Sequence, residues 1–201
     1  MTTQPQPAIC TAPSADPRTI SELLAEAFLH GDLADWLIPH LDTRARICPR
    51  YFALHVEHAI THGQIDMTTD AAAVSIWYPI AGEPLPELPD YSQRLAEAVG
   101  RFRPRVAALD QAMNDHQPYG QPHFYLAFLA VHPNRQRRGD GSALLCHRHD
   151  QLDGTRTEAY LGATGPRNRR LYARHGYLPQ PAFHLPGGPR LYPMRRPSTG
   201  E

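Results

Sequence analysis

The segment 123–145, HFYLAFLAVHPNRQRRGDGSALL, constrains the fold more than any other stretch of the chain. HFYLAFLAV reads as a buried strand, and SALLCHRHDQL reads as a helix. Between them two arginines, Arg137 and Arg138, stand against two glycines, Gly139 and Gly141. A further strand pattern, TEAYLGAT, follows the helix. Strand, glycine-bearing turn, helix and strand make a βαβ unit, which implies a parallel, buried strand pair.

The front of the chain alternates differently. Residues 1–7 are polar and are expected to be loose, and AICTAPS reads as a first strand. ADPRTISELLAEAFLHG predicts a helix capped by Asp16, with Pro17 at its first position and Gly31 at its end. Ile20, Leu23, Leu24, Ala27 and Phe28 form its apolar face. CPRYFALHVEHAITHG predicts a second helix, with Pro49 near its start, Phe52, Val56, Ala59 and Ile60 inward, and Gly63 at its end. QIDMTT and AAAVSIWYPI read as strands joined by a turn near Asp70, and AGEPLPELPD as a loop. The pattern Tyr91, Leu95, Val99, Phe102, Val106, Leu109, Met113 is helical, with Pro104 expected to divide it into two pieces. After PRNRRLYARH, a short helix stopped by Gly176, GYLPQPAF and PRLYPMRR predict two strands around the turn LPGG.

Bulk properties exclude several classes. A chain of 201 residues suits one domain, and 41% hydrophobic with 20% charged residues is ordinary for a globular protein. Formal net charge is zero, so no global field points to nucleic acid or an acidic membrane. All 20 basic residues are arginine. Cys10, Cys48 and Cys146 are too few and too far apart for a disulfide framework or a cysteine zinc site, which fits a reducing cytoplasm. The start MTTQPQPAIC has no signal pattern, and no apolar run approaches the roughly 18 residues of a membrane span. The twelve histidines show no metal-ligand spacing beyond His55 and His58, so no metal is expected.

The turn carries chemistry. A helix N-terminus leaves backbone N–H groups unpaired and bears partial positive charge, and glycine at its mouth lets an anion reach the backbone. Gln136-Arg-Arg-Gly139-Asp-Gly141-Ser142 is not a Walker loop, because no Gly-Lys-Ser/Thr follows, and it lacks the third glycine of a dinucleotide fingerprint. Arg138-Gly139-Asp140 is also an adhesion tripeptide, but here it enters a helix rather than an exposed loop.

Val131, Pro133, Gln136, Gly139, Gly141, Leu144 and Leu145 resemble the acetyl-CoA loop of the GCN5-related N-acetyltransferase (GNAT) family. Asn168, Tyr172, Gly176 and Tyr177 follow at the positions of that family's second signature. PRNRRLYARHGY, LPGGPRLYPMRRP, GDLADWLIP and AAAVSIWYPI are similar to the puromycin N-acetyltransferase branch. The resemblance implies an α+β (mixed α/β) GNAT fold: a central, mostly antiparallel sheet of six to seven strands, splayed at parallel fourth and fifth strands and flanked by helices. It implies one domain over 8–197, with 8–121 as the acceptor side, 122–197 as the acetyl-CoA side, and 198–201 as a tail.

By the same resemblance, the backbones of Leu129 and Val131 pair with pantetheine. The N–H groups from Arg138 through Ser142 (Gly139, Asp140 and Gly141 between them) bind pyrophosphate with Gln136, Arg137 adds charge, and Asn168 touches the cofactor arm. An amine then attacks the thioester directly in a ternary complex. That attack requires a base, an oxyanion donor and an acid for the leaving thiolate, and Tyr172 is the expected acid. Two positions depart from the family pattern: Gly162 stands where a glutamate is common, and Arg137 and Asp140 replace a glycine and an apolar residue. The base therefore stays open among His55, His123, Tyr125, Glu158 and a water relay, and Asp140 is expected to point away from the anion, toward an arginine or solvent. Trp36, Tyr51, Trp77 and Tyr78 are candidates to line the acceptor pocket. The implied activity is transfer of an acetyl group to a small-molecule primary amine, in antibiotic resistance or other specialised metabolism, by a monomer or homodimer. The alternatives are a weak or inactive acyl-CoA-binding sensor, or a protein or peptide N-acetyltransferase.

Overall fold

The computed structural model describes residues 7–11 and 16–198. The expected loose start over 1–6, the end of the AICTAPS strand and the tail over 199–201 lie outside the described residues. The front half contains β1 (Ile9–Thr11), α1 (Pro17–Ala27), α2 (Asp32–Leu37), α3 (Leu41–His62), β2 (Gln64–Thr68), β3 (Ala73–Ile80), α4 (Tyr91–Val99) and α5 (Arg103–Asp115). Then come β4 (His123–Val131), α6 (Asp140–Gly154), β5 (Glu158–Ala163), α7 (Pro166–Arg174), β6 (Leu178–Pro179), β7 (Phe183–His184) and β8 (Arg190–Arg196). The strands run in the order β1-β2-β3-β4-β5-β8-β6, with β7 pairing β8 off that path. Only β4 and β5 pair in parallel among these neighbours. This is the mixed, mostly antiparallel sheet flanked by helices that the resemblance implied, with eight strands in place of six to seven because the C-terminal segment forms three strands, β6, β7 and β8.

Local chemistry explains most element ends. The Asp16 side chain accepts from Arg18 N at 3.2 Å and Pro17 takes the first helical position, so α1 starts as expected. It ends at Ala27, however, and Gly31, at φ 118°, instead opens α2, a helix the sequence reading did not assign. The buried Arg44 guanidinium fixes this corner, donating from Nε to the Ile38 carbonyl at 2.9 Å, from Nη1 to the Leu29 carbonyl and from Nη2 to Asp35. α3 begins well before Pro49, which lies inside its 22 residues, and Ile60 points outward, 56% exposed. Between α4 and α5 the break falls at Gly100, at φ 54°, where a 3₁₀ turn starts. Pro104 then sits in the first turn of α5, where its missing N–H costs nothing.

The two faces of the sheet carry separate cores. Ile20, Leu24, Phe52, Val56, Leu95, Val99 and Val106 from the front helices cover one face. Leu145, Leu152, Tyr172 and Tyr177 pack with Trp77, Leu126 and Leu161 on the other. Trp77 is fully buried there, its Nε1 donating to Ser75 Oγ at 3.0 Å, which removes it from the acceptor-pocket candidates. Trp36 packs over Gly188, where a Cβ would lie 2.7 Å from the indole.

A buried ion pair anchors α6 to the sheet. Arg148 donates to Asp66 of β2 from Nε at 2.9 Å and from Nη2 at 2.6 Å, and Asp66 is fully buried. Gln151 Oε1, at 2.8 Å, and Gln64 accept the remaining guanidinium protons.

Candidate active site

The strands β4 and β5 part in mid-course. His123 to Leu126 pair with Glu158 to Leu161, and there the parallel ladder stops, although β4 continues to Val131 and β5 to Ala163. The antiparallel partner β3 follows β4 to its end, so the opening is one-sided. A bulge lies at the same place: Trp77 pairs with Leu126 and Ile76 with Phe128, leaving Ala127 as the extra residue. The bulge resets the alternation of β4. Tyr125, Phe128 and Ala130 pack toward the front helices, whereas Phe124, Leu126 and Leu129 pack toward α6 and α7.

The end of β4 leads straight into the anion turn. His132 N donates to the Ala72 carbonyl at 2.8 Å, and the Gln136 amide donates back to the Val131 carbonyl at 3.3 Å. Arg137 adopts φ 68°, a left-handed conformation that costs a side chain of L-configuration roughly 1–2 kcal/mol and favours glycine. Gly139 is the N-cap of α6 at φ 100°, with open space where a Cβ would be. The first in-helix bond runs from Ala143 N to the Gly139 carbonyl at 2.9 Å. The amides of Asp140, Gly141 and Ser142 therefore lack in-helix acceptors at the positive end of the helix dipole. Arg137 and Arg138 are exposed beside them.

Asp140 is turned away from this mouth. Its side chain is buried, with Oδ2 3.5 Å from Arg135 Nε, and Arg135 Nη1 donates to Asp70 Oδ2 at 2.7 Å. Arg135 thus sits between two carboxylates on the protein side of the turn. The Leu129 and Val131 side chains approach Gly141 closely: a Cβ there would lie 3.4 Å from Val131 Cγ2 and 3.8 Å from Leu129 Cδ2.

α7 leans on the same turn. His175, just past its end, lies 3.1 Å from Ser142 Oγ through Nε2 and 3.9 Å from Cys146 Sγ through Nδ1. Tyr172, one turn earlier, is buried, edge-on to Tyr177 at 5.8 Å. Burial pushes its phenol well above the ordinary value, so it keeps its proton. Asn168 donates to Thr164 Oγ1 at 3.1 Å, which ties the start of α7 to the end of β5.

The candidate bases separate by position and charge state. His123 and Glu158 lie at the closed end of the ladder, three residues, roughly 10 Å, from where it opens. Glu158 is held there by Arg195 at 2.9 Å. Burial lowers His55 to about 4, leaving it neutral and weakly basic, and its Nε2 is buried without a partner. Burial raises Tyr125 far above neutrality. Gly162 leaves no vacancy, since a Cβ there would meet Met113 Cε at 2.6 Å.

One carboxylate outside those candidates also has a perturbed charge state. Asp110 of α5 accepts from Tyr91 Oη at 3.1 Å, and burial raises its carboxyl to about 6, against that hydrogen bond and with Glu87 adding to the rise. Nothing in the run VAALDQAM marks Asp110 as special, because a single aspartate on an amphipathic helix reads as solvent-facing.

Among the described residues no group of three or more His, Cys, Asp or Glu side chains is placed to hold a metal ion, and no helix is long and apolar enough to cross a membrane. A strand pair splayed beside a helix N-terminus that offers free amides is the arrangement that the GNAT resemblance implied, and residues 101–177 match the acetyltransferase (GNAT) family. The fold is similar to that of the histone acetyltransferase HPA2 and related acetyltransferase from Corynebacterium glutamicum, with TM-score 0.75, 25% identity and 98% of each chain covered. It is also similar to arylalkylamine N-acetyltransferase 2 from Aedes aegypti, with TM-score 0.67, 13% identity and 94% of this chain and 98% of that chain covered. A third likeness is the C-terminal condensation domain of Ebony, solved with beta-alanyl-dopamine, with TM-score 0.61, 12% identity and 96% and 100% covered. Membership of the GNAT superfamily is well supported by the family match together with the shared fold.

Proposed function

We propose that the chain is an acetyl-CoA-dependent N-acetyltransferase that acetylates a primary amine of a small molecule, by direct attack within a ternary complex. The observation that carries this reading is the one-sided opening of β4 after Leu126, ending at the free amides of Asp140, Gly141 and Ser142. Those residues fit acetyl-CoA. The unpaired edge of β4 around Leu129 and Val131 matches an extended pantetheine arm. The loop from Gln136 to Ser142 matches a pyrophosphate, with Arg137 and Arg138 adding positive charge and the buried Asp140 turned aside. Bound there, acetyl-CoA supplies the activated thioester. Tyr172 holds a phenolic proton for the leaving sulfur, and Asn168 steadies the approach to α7. Residues 8–197 act as one domain in this reading. The resemblance of PRNRRLYARHGY and LPGGPRLYPMRRP to the puromycin N-acetyltransferase branch makes antibiotics and other specialised metabolites the first acceptors to try.

Incubation with acetyl-CoA and panels of aminonucleosides, aminoglycosides, arylalkylamines, polyamines and peptides, following thiol release, tests this. Release that depends on a small amine is the expected result. Release with peptides alone would replace the acceptor class. Binding of acetyl-CoA without release by any acceptor would replace the enzyme with a sensor.

A further inference from the structure

Asp110 is a half-buried carboxylate with no ion pair among the described residues. Burying a carboxylate costs free energy unless a charge or several hydrogen bonds compensate it, and Tyr91 Oη supplies a single one, at 3.1 Å. Carboxylates held in this state concentrate at functional sites. The groups acting on Asp110 and its neighbours are Glu87, ahead of α4, Tyr91 of α4, Tyr51 of α3 and Tyr125 of β4. None of these is a cation.

The surroundings are aromatic. Tyr91, which donates to Asp110, packs against the same apolar cluster as Tyr51, Tyr125 and Phe128. Tyr51 meets His55 edge-on at 4.6 Å, His55 meets Phe128 at 5.1 Å, and Tyr125 lies 6.2 Å from Tyr160 of β5. The buried, unpartnered Nε2 of His55 belongs to the same group. Tyr125 and Phe128 flank the Ala127 bulge, where β4 leaves β5. Met113, one helical turn beyond Asp110, reaches the space over Gly162, next to the last paired residue of β5. The carboxylate, through Tyr91, and the rings therefore share the front-helix side of the sheet.

We infer that Asp110, with Tyr51, Tyr91, Tyr125 and Phe128, forms the acceptor site for a protonated primary amine carried on an aromatic body. The carboxylate takes the ammonium, and the rings take the flat apolar part and add cation–π attraction. This assignment rests on the acetyltransferase reading for its purpose, but it is measurable as binding alone. The sign of the pH dependence follows from the carboxyl at about 6: the anion is present above that value, and affinity for an ammonium falls as pH drops through it.

The test is an NMR titration of tyramine, and of 4-ethylphenol as its uncharged counterpart, into the protein without acetyl-CoA. Tyramine is expected to bind Asp110→Asn about 10- to 100-fold more weakly than wild type at about pH 8, the range for losing a charge-assisted hydrogen bond. 4-Ethylphenol should bind both proteins within about twofold, because its contacts do not depend on the charge. The preference of the wild type for tyramine should shrink at about pH 5. Asp110→Asn keeps an acceptor for Tyr91 and removes a carboxylate whose raised value makes it a liability to the fold above about 6, so its Tm at about pH 8 should not fall. Equal tyramine affinity in the two proteins, or no tyramine binding to wild type at millimolar concentration, would overturn the assignment. A parallel acetyl-CoA titration separates the two readings: its failure on wild type sinks the transferase, whereas loss of tyramine alone in Asp110→Asn supports the site.

Discussion

Tyr172→Phe is expected to leave the fold and acetyl-CoA binding intact and to lower turnover by about 100- to 10,000-fold, the range for loss of a positioned general acid. The structural half of the expectation comes from packing. The ring is buried against Tyr177, Leu145 and Leu161, and phenylalanine preserves those contacts. The substitution removes the hydroxyl alone and keeps the ring in place. The chemical half comes from charge state and place. Desolvation holds the phenol protonated at neutral pH, as an acid must be. α7 is fastened to the anion turn through His175 and Ser142 at 3.1 Å. Steady-state kinetics with the best acceptor from the panel, beside calorimetric acetyl-CoA binding, give the two numbers. Turnover unchanged within about twofold would remove the acid role.

Asp66→Leu is expected to cost about 3–5 kcal/mol of folding stability, because it strands the Arg148 guanidinium in the interior. Arg148 is 3% exposed and Asp66 fully buried. The residues are 82 positions apart, so this pair pins the helix of the anion turn to a strand of the front half. The double change Asp66→Leu with Arg148→Met should recover most of the loss, since apolar replacement of both partners removes the stranded charge. Urea denaturation of the single and double variants measures both effects. A single variant that loses less than about 1 kcal/mol would show that Gln64 and Gln151 suffice for the arginine.

How much of this was legible in the sequence depends on how local each signal is. The strand, turn and helix over 123–154 and the strand after them were readable because periodicity, glycines and caps lie within one contiguous stretch. The corner at α2 was not, since six residues of helix carry almost no periodicity and are held by Arg44, which reaches back 15 residues to Leu29. Gly100 and Pro104 compete as breakers in the same helix pattern. Only the structure shows that the proline lands in a first turn, where it does no harm. Trp77 reads as a pocket wall because an aromatic side chain does not declare its face, and the bulge at Ala127 alters the faces of β4 as well. The site divides the same way. The anion turn is a local motif, and the positions of Asp140 and Arg137 follow from their places in it. Asp110 becomes distinctive only when α4 packs beside α5 and sets Tyr91 against it. The occupied space over Gly162 depends on Met113, 49 positions earlier by the numbering of the two residues.

The central claim is that the opening between β4 and β5, with the turn into α6, holds acetyl-CoA. A ¹⁵N-resolved NMR titration of the protein with acetyl-CoA tests it most directly. The account predicts saturable binding with the largest shifts at the amides of Asp140, Gly141 and Ser142 and along 127–131, and an affinity that weakens with added salt as the exposed arginines are screened. Absence of binding at millimolar acetyl-CoA, or saturable shifts that leave those amides unmoved, would contradict it.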